Sequence, residues 1–170
     1  KYTIDDMGVE AYKEKVEEIA GKKFEPARSF QIDSNQDFFG WIKDETGLNH
    51  FTVFIENGRV EDTVDLPQKS GFKKISKIMQ KNKSGHFRLT GNQHCVISGI
   101  KDEHIDEIKD VMRKHKLDNT DFSGLRLSSA SCVGLPTCGL AMAESERYLP
   151  QLVTKLENIL EEYGLRHDSV

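Results

Sequence analysis

Cys132 and Cys138 are the side chains in this sequence whose type and spacing best suit chemistry. They lie in Ser131-Cys132-Val133-Gly134-Leu135-Pro136-Thr137-Cys138-Gly139, a loop bearing Gly and Pro that precedes a strong helical pattern. A loop at the mouth of a helix leaves backbone N–H groups unpaired, and the positive end of the helix dipole favours thiolate over thiol. Thiolates are ligands for soft metals. The five-residue gap between the cysteines differs from the two-residue gap common in zinc sites. Two thiolates also leave a four-coordinate site half built, and the remaining cysteine, Cys95, lies far upstream in a strand-like run. From spacing alone the pair reads as metal ligands with partners elsewhere, as a redox disulfide, or as small apolar fillers.

A second cluster of polar chemistry is Phe87-Arg88-Leu89-Thr90-Gly91-Asn92-Gln93-His94, which sets a guanidinium, a hydroxyl and two amides around a strand end. On residue types alone this is a polar strand–turn–strand with Arg88 in solvent. Cys95 is expected to be a buried structural thiol. The histidines (His50, His86, His94, His104, His115, His167) show no i, i+4 pair, and most are expected at the surface. Lys73, Lys74, Lys77, Lys81 and Lys83 read as a solvated helix face, with a docking patch for an acidic electron donor as the weaker alternative. Glu157, Glu161 and Glu162 are likewise assigned to solvent. There is no P-loop, no Gly-x-Gly-x-x-Gly and no Ser–His–Asp order.

The elements that must position these residues follow from periodicity. Asp5 and Asp6 offer caps and Val9, Tyr12, Val16 and Ile19 recur at helical spacing up to Gly21, so a helix is predicted over 6–20. Residues 22–36 carry Pro26 and no period and read as a connector. Strands are predicted over 38–43 and 50–55, an Asn57-Gly58 turn next, and a short third strand over 59–62. A helix over 69–81, strands over 86–90 and 94–99, and a helix over 102–115 complete an α+β unit, an antiparallel sheet with helices on one face. Residues 118–137 read as an extended loop. Leu149, Leu152, Val153, Leu156, Ile159, Leu160 and Tyr163 form a helical stripe that Gly164 stops, with Pro150 in its first turn.

Bulk properties narrow the class. A chain of 170 residues buries a real core, and 36% hydrophobic with 31% charged residues is a globular composition. The 24 basic and 28 acidic residues leave a net charge of −4, which argues against nucleic acid or an anionic membrane as partner. No apolar run approaches the roughly 18 residues of a membrane span. The odd cysteine count points to a reducing, cytoplasmic compartment. A start at Lys1 without Met or signal pattern reads as an excised segment.

The word Cys132-Val-Gly-Leu-Pro-Thr-Cys138, continued by Gly-Leu-Ala-Met-Ala-Glu-Ser-Glu-Arg-Tyr-Leu-Pro150, resembles the first cysteine pair of hemoprotein subunits in the siroheme sulfite and nitrite reductase family. There a Cys-x5-Cys pair and a later Cys-x3-Cys pair together hold a [4Fe–4S] cluster, one of whose thiolates also bridges to siroheme iron. Gly139 departs from the Pro that many relatives carry. Arg88, Thr90 and Gln93 are similar to the family's Arg-x-Thr-x-x-Gln signature at the sheet facing siroheme, a cofactor rich in carboxylates. Phe24-Glu25-Pro26-Ala27-Arg28 is similar to the link entering the second half of these subunits.

The resemblance implies a central fragment comprising an N-terminal helix and linker over 1–35, a ferredoxin-like half-domain over 36–117, and the incomplete start of the siroheme and cluster domain over 118–170. It implies Cys132 and Cys138 as metal ligands, and Arg88, Thr90, Asn92 and Gln93 as siroheme-facing residues. It places no catalytic residue here, because the substrate clamp lies in the absent first half. The whole enzyme would reduce sulfite to sulfide with electrons from an NADPH-oxidising flavoprotein or a ferredoxin, and the fragment alone would be inactive. A nitrite reductase fragment and a non-catalytic α+β interaction domain are the rival readings. The 118–137 loop is expected to be mobile without its cluster.

Overall fold

The computed structural model describes residues 1–31 and 37–167. The described residues fall into two compact units, one ending at residue 31 and the other starting at residue 37. In the first, α1 (Tyr2–Met7) and α2 (Val9–Ala20) replace the single helix predicted over 6–20. The break is Gly8, whose φ of 82° and ψ of 155° no helix contains. Gly21 ends α2 in the left-handed region, as read from the sequence. Neither helix buries a residue. The connector is irregular through Gln31; its remainder lies outside the described residues.

The second unit begins with β1 (Gly40–Lys43) and β2 (Asn49–Val53), then α3 (Gln68–Asn82), β3 (His86–Leu89), β4 (Cys95–Ile100) and α4 (Ile105–Lys114). The strands form one antiparallel sheet in the order β1-β2-β4-β3. Trp41, Phe51, Ile97 and Phe87 align across it in one row. Side chains alternate between faces along a strand, so this row and its neighbours face α3 and α4. Phe51, Ile75, Ile97, Ile100, Ile108 and Met112 close the core almost without solvent contact. The α+β arrangement with helices on one face is therefore as expected.

Gly71 is where α3 approaches the end of α4. A Cβ there would lie 2.6 Å from His115 Cβ and 2.8 Å from Leu117 Cδ1. The opposite sheet face holds the alternate side chains of each strand. It presents the row Gly40, Thr52, Val96 and Arg88. Beside that row, His50 Nδ1 stands 2.8 Å from Ser98 Oγ.

The predicted third strand over 59–62 does not form; only a bridge between Asp62 and Pro67 appears. The segment is used instead to start α3. Asp62 accepts from the Ser70 N–H and Ser70 Oγ, each at 2.8 Å, and the Glu61 carbonyl accepts from Lys69 N–H at 3.2 Å.

Nor are residues 118–137 wholly extended: α5 (Gly124–Ser128) interrupts them, with Ser123 Oγ capping it at 3.0 Å from Arg126 N. The stretch packs back on the sheet unit. Asn119 Oδ1 accepts from Phe54 N–H at 3.2 Å, and the Phe122 ring meets Phe54 edge-on at 5.8 Å. The final helix, α6 (Leu149–Glu162), has Pro150 in its first turn, as predicted.

Glu157 on α6 was assigned to solvent but is 4% exposed. It is buried because it is answered. Arg126 binds both its carboxylate oxygens, Ser123 Oγ donates to it at 2.5 Å, and Arg126 reaches on to Glu56 Oε1 at 2.7 Å. His94 and His115 are buried too, against the expectation of surface histidines. His94 Nδ1 accepts from Ile55 N–H, and its ring packs against both Phe39 and Phe54.

Candidate functional site

Three turns meet beside the sheet. The first follows β2, where Asn57 and Gly58 take φ of 51° and 70°. Both are residue types that tolerate the left-handed region. The second joins β3 to β4. Thr90 Oγ1 accepts from Asn92 N–H at 3.2 Å and His94 N–H at 3.3 Å, donates to Asp37 Oδ2 at 2.6 Å, and so ties this turn together. Gln93 sits at its tip with φ 68°, exposed. The first two turns touch: a Cβ on Gly58 would come within 2.9 Å of Gln93 Cβ.

The third is the cysteine loop. Cys138 N–H donates to Gly134 O at 2.8 Å, Leu135 N–H to Ala143 O at 3.0 Å, and Arg147 Nη1 to Leu135 O at 3.2 Å. Its ends are held by the first turn. Asn57 Oδ1 accepts from Ser131 N–H at 3.2 Å and from Ser131 Oγ at 3.0 Å, while Asn57 Nδ2 donates to Glu146 O at 3.0 Å. The Arg59 guanidinium pairs with Glu146, which is 8% exposed, and holds that carboxyl below the usual range against the opposing pull of burial.

A cleft of about 420 Å³ opens between these turns, lined by Asn57, Arg59, Gln93, Ser131, Cys132 and Glu146. Cys132 is exposed, Cys138 is half-buried, and both are free thiols rather than a disulfide. Neither is packed away as an apolar filler. Cys95 is: burial pushes its thiol up to about 11, which keeps it protonated and inert.

The placement of the other candidates is uneven. Arg88 lies on the sheet face turned away from α3 and α4, exposed, with Nε donating to His86 Nε2 at 2.8 Å. Asn92 is exposed at the turn, and the Thr90 hydroxyl is engaged within the chain. The helix-dipole argument for the thiols does not hold. α6 begins only at Leu149, and the dipole's influence fades within a helix's first turn.

Two soft sulfur donors at a surface loop suit iron or an iron–sulfur cluster, and they supply only part of a ligand set. Among the described residues no group of three or more His, Cys, Asp or Glu side chains is placed to hold a metal. Asn57, Arg59 and Glu146 were not picked out from the sequence. Asn57-Gly58 was visible as a turn, but nothing in residue order pairs position 57 with 131 and 146.

A model of the nitrite/sulfite reductase ferredoxin-like half domain matches residues 42–115. Over all 170 residues the chain is 72% identical to the Saccharomyces cerevisiae sulfite reductase (NADPH) subunit beta, of which it covers 12%. It is 50% identical to the Schizosaccharomyces pombe subunit beta, again covering 12%, and 46% identical to the Anoxybacillus flavithermus sulfite reductase (NADPH) hemoprotein beta-component, covering 29%. Among solved structures, the Mycobacterium tuberculosis NirA protein superposes with a TM-score of 0.65 at 25% identity, over 95% of this chain and 29% of that one. The chain thus spans 12% to 29% of the length of these relatives.

Proposed function

We propose that this chain belongs to the nitrite and sulfite reductase family and is the part of a sulfite reductase beta subunit that holds half of a [4Fe–4S] cluster beside a siroheme-facing sheet edge. The observation that carries this is the shared cleft. Gln93 of the β3–β4 turn and Cys132 of the cysteine loop, far apart in sequence, line one cavity. Cys132 and Cys138 would ligate the cluster, with the remaining thiolates supplied from outside this chain. The cluster and siroheme supply the electron transfer and the iron centre at which sulfite is reduced to sulfide.

The chain's own residues bind and orient. Gln93, an amide with both donor and acceptor at the cleft wall, would meet a cofactor carboxylate and fix its angle. Arg88, exposed on the sheet face turned away from α3 and α4, offers a fork matched to a carboxylate. Asn92 is placed at the same edge, and Thr90 contributes by locking the turn that presents Gln93. On this reading none of the described residues acts as acid, base or anion clamp. On this reading the electron donor is an NADPH-oxidising flavoprotein rather than a ferredoxin, the relatives being named for NADPH, and the location is cytoplasmic.

The apolar collar of the loop supports an occupant: Leu140 and Met142, either side of Ala141 and close to Cys138, are 93% and 97% exposed. Apolar side chains exposed side by side form the kind of patch that marks an interaction site. The test is iron and acid-labile sulfide analysis, with an absorption scan for siroheme, on a polypeptide carrying this chain and the flanking sequence its relatives possess. Both cofactors and sulfite-dependent NADPH oxidation with the flavoprotein are expected. A folded polypeptide that takes up neither cofactor overturns the reading.

A further inference from the structure

The cysteine loop is held by a single side chain at both its ends, and we infer that Asn57 is the positioning residue that sets Cys132 against Gln93. This rests on the ligand role proposed for the cysteines and adds a residue to it. The amide's orientation is fixed by its partners. Ser131 N–H can only donate, so it requires Oδ1, and the Glu146 carbonyl can only accept, so it requires Nδ2. Ser131 precedes Cys132, and Glu146 closes the loop that contains Cys138. Asn57 therefore bridges the two sides of the loop that carries both thiols.

The same turn leans on Gln93 through Gly58, where no Cβ fits without displacing that side chain. One Asn-Gly unit thus links the proposed cofactor-facing amide of Gln93 to the loop carrying Cys132. Glu146 reinforces it from below, buried and paired with Arg59, with its second carboxylate oxygen unpartnered among the described residues. Asn is the residue that meets both demands at this position. It accepts and donates at once, and its short polar side chain tolerates the φ of 51°.

Asn57→Gly is the informative change, because Gly keeps the backbone conformation and removes only the amide. In the cluster-loaded polypeptide, iron release to a chelator should accelerate on the order of tenfold, the usual scale for losing a group that orients metal ligands. Cys95 should stay as shielded from thiol reagents as in the parent, which general loosening of the fold would not allow. Asn57→Asp keeps the acceptor for Ser131 and loses the donor to Glu146, so it should fall between the two and serves if Asn57→Gly folds poorly. Unchanged release in both variants overturns the inference, as does faster release with Cys95 equally uncovered. Iron content that survives Cys132→Ser and Cys138→Ser would instead remove the ligand reading itself.

Discussion

A carboxylate as enclosed as Glu157 survives folding because Arg126 and Ser123 answer it, and the pair joins the turn after β2 to α5 and α6. Removing one partner leaves the other charge without compensation. Arg126→Met should cost about 3 kcal/mol in denaturant unfolding. Arg126→Met with Glu157→Leu should recover most of that loss, and a double variant no better than the single would contradict the account. Protons act on the same residues. Burial pushes the Glu157 carboxyl up, yet Arg126 and Ser123 outweigh it and the group ends below its ordinary 4.5. The unfolded chain therefore takes up the proton first, and this contribution is present above that ordinary value and lost as pH falls below it. Burial also lowers His94 from its ordinary 6.5, so the unfolded chain again protonates first and stability declines as pH drops through that value. Urea midpoints across pH should fall in two steps, and His94→Gln should abolish the upper one. The cysteines stood out in the sequence because thiols are few and their wording specific. Glu157 did not, because a carboxylate between exposed neighbours looks like solvent until its partner's position is known.

At the level of elements, the sheet and its helices followed from periodicity: β-branched and aromatic runs for β2 and β4, the i, i+3, i+4 stripe for α3 and α4. What periodicity missed was competition for backbone groups. Residues 59–62 have strand-like wording, but Glu61 and Asp62 are drawn to the start of α3 and Arg59 to Glu146. The break at Gly8 was likewise hidden, since flanking apolar spacing runs through it. The α3–α4 contact has its own test. Gly71→Ala places a methyl against His115 and Leu117 and should cost about 1–3 kcal/mol in unfolding. Gly139→Ala, with nothing within 4 Å of the added carbon, should be close to neutral. Equal costs would mean that the close approach at Gly71 does not shape the packing.

Across the molecule, apolar side chains stand exposed on the last helix and on the cysteine loop. α6 buries Val153 but shows Ile159 at 50% exposure, Tyr163 just past its end is 74% exposed, and the cysteine loop shows Leu140 and Met142. The chain corresponds to 12% of the yeast subunits and 29% of the bacterial ones it matches. Those facts fit a unit whose sites are finished by neighbouring sequence. The cleft was legible only in halves: the two motifs were read separately, and their meeting depended on the Asn57-Gly58 turn. The central claim is that Cys132 and Cys138 belong to one cluster completed elsewhere. Its most direct test is non-siroheme iron per polypeptide in the full-length protein with each cysteine of this chain replaced by serine in turn. Cys132→Ser and Cys138→Ser should each lose that iron while Cys95→Ser retains it; full iron in either of the first two variants would contradict the account.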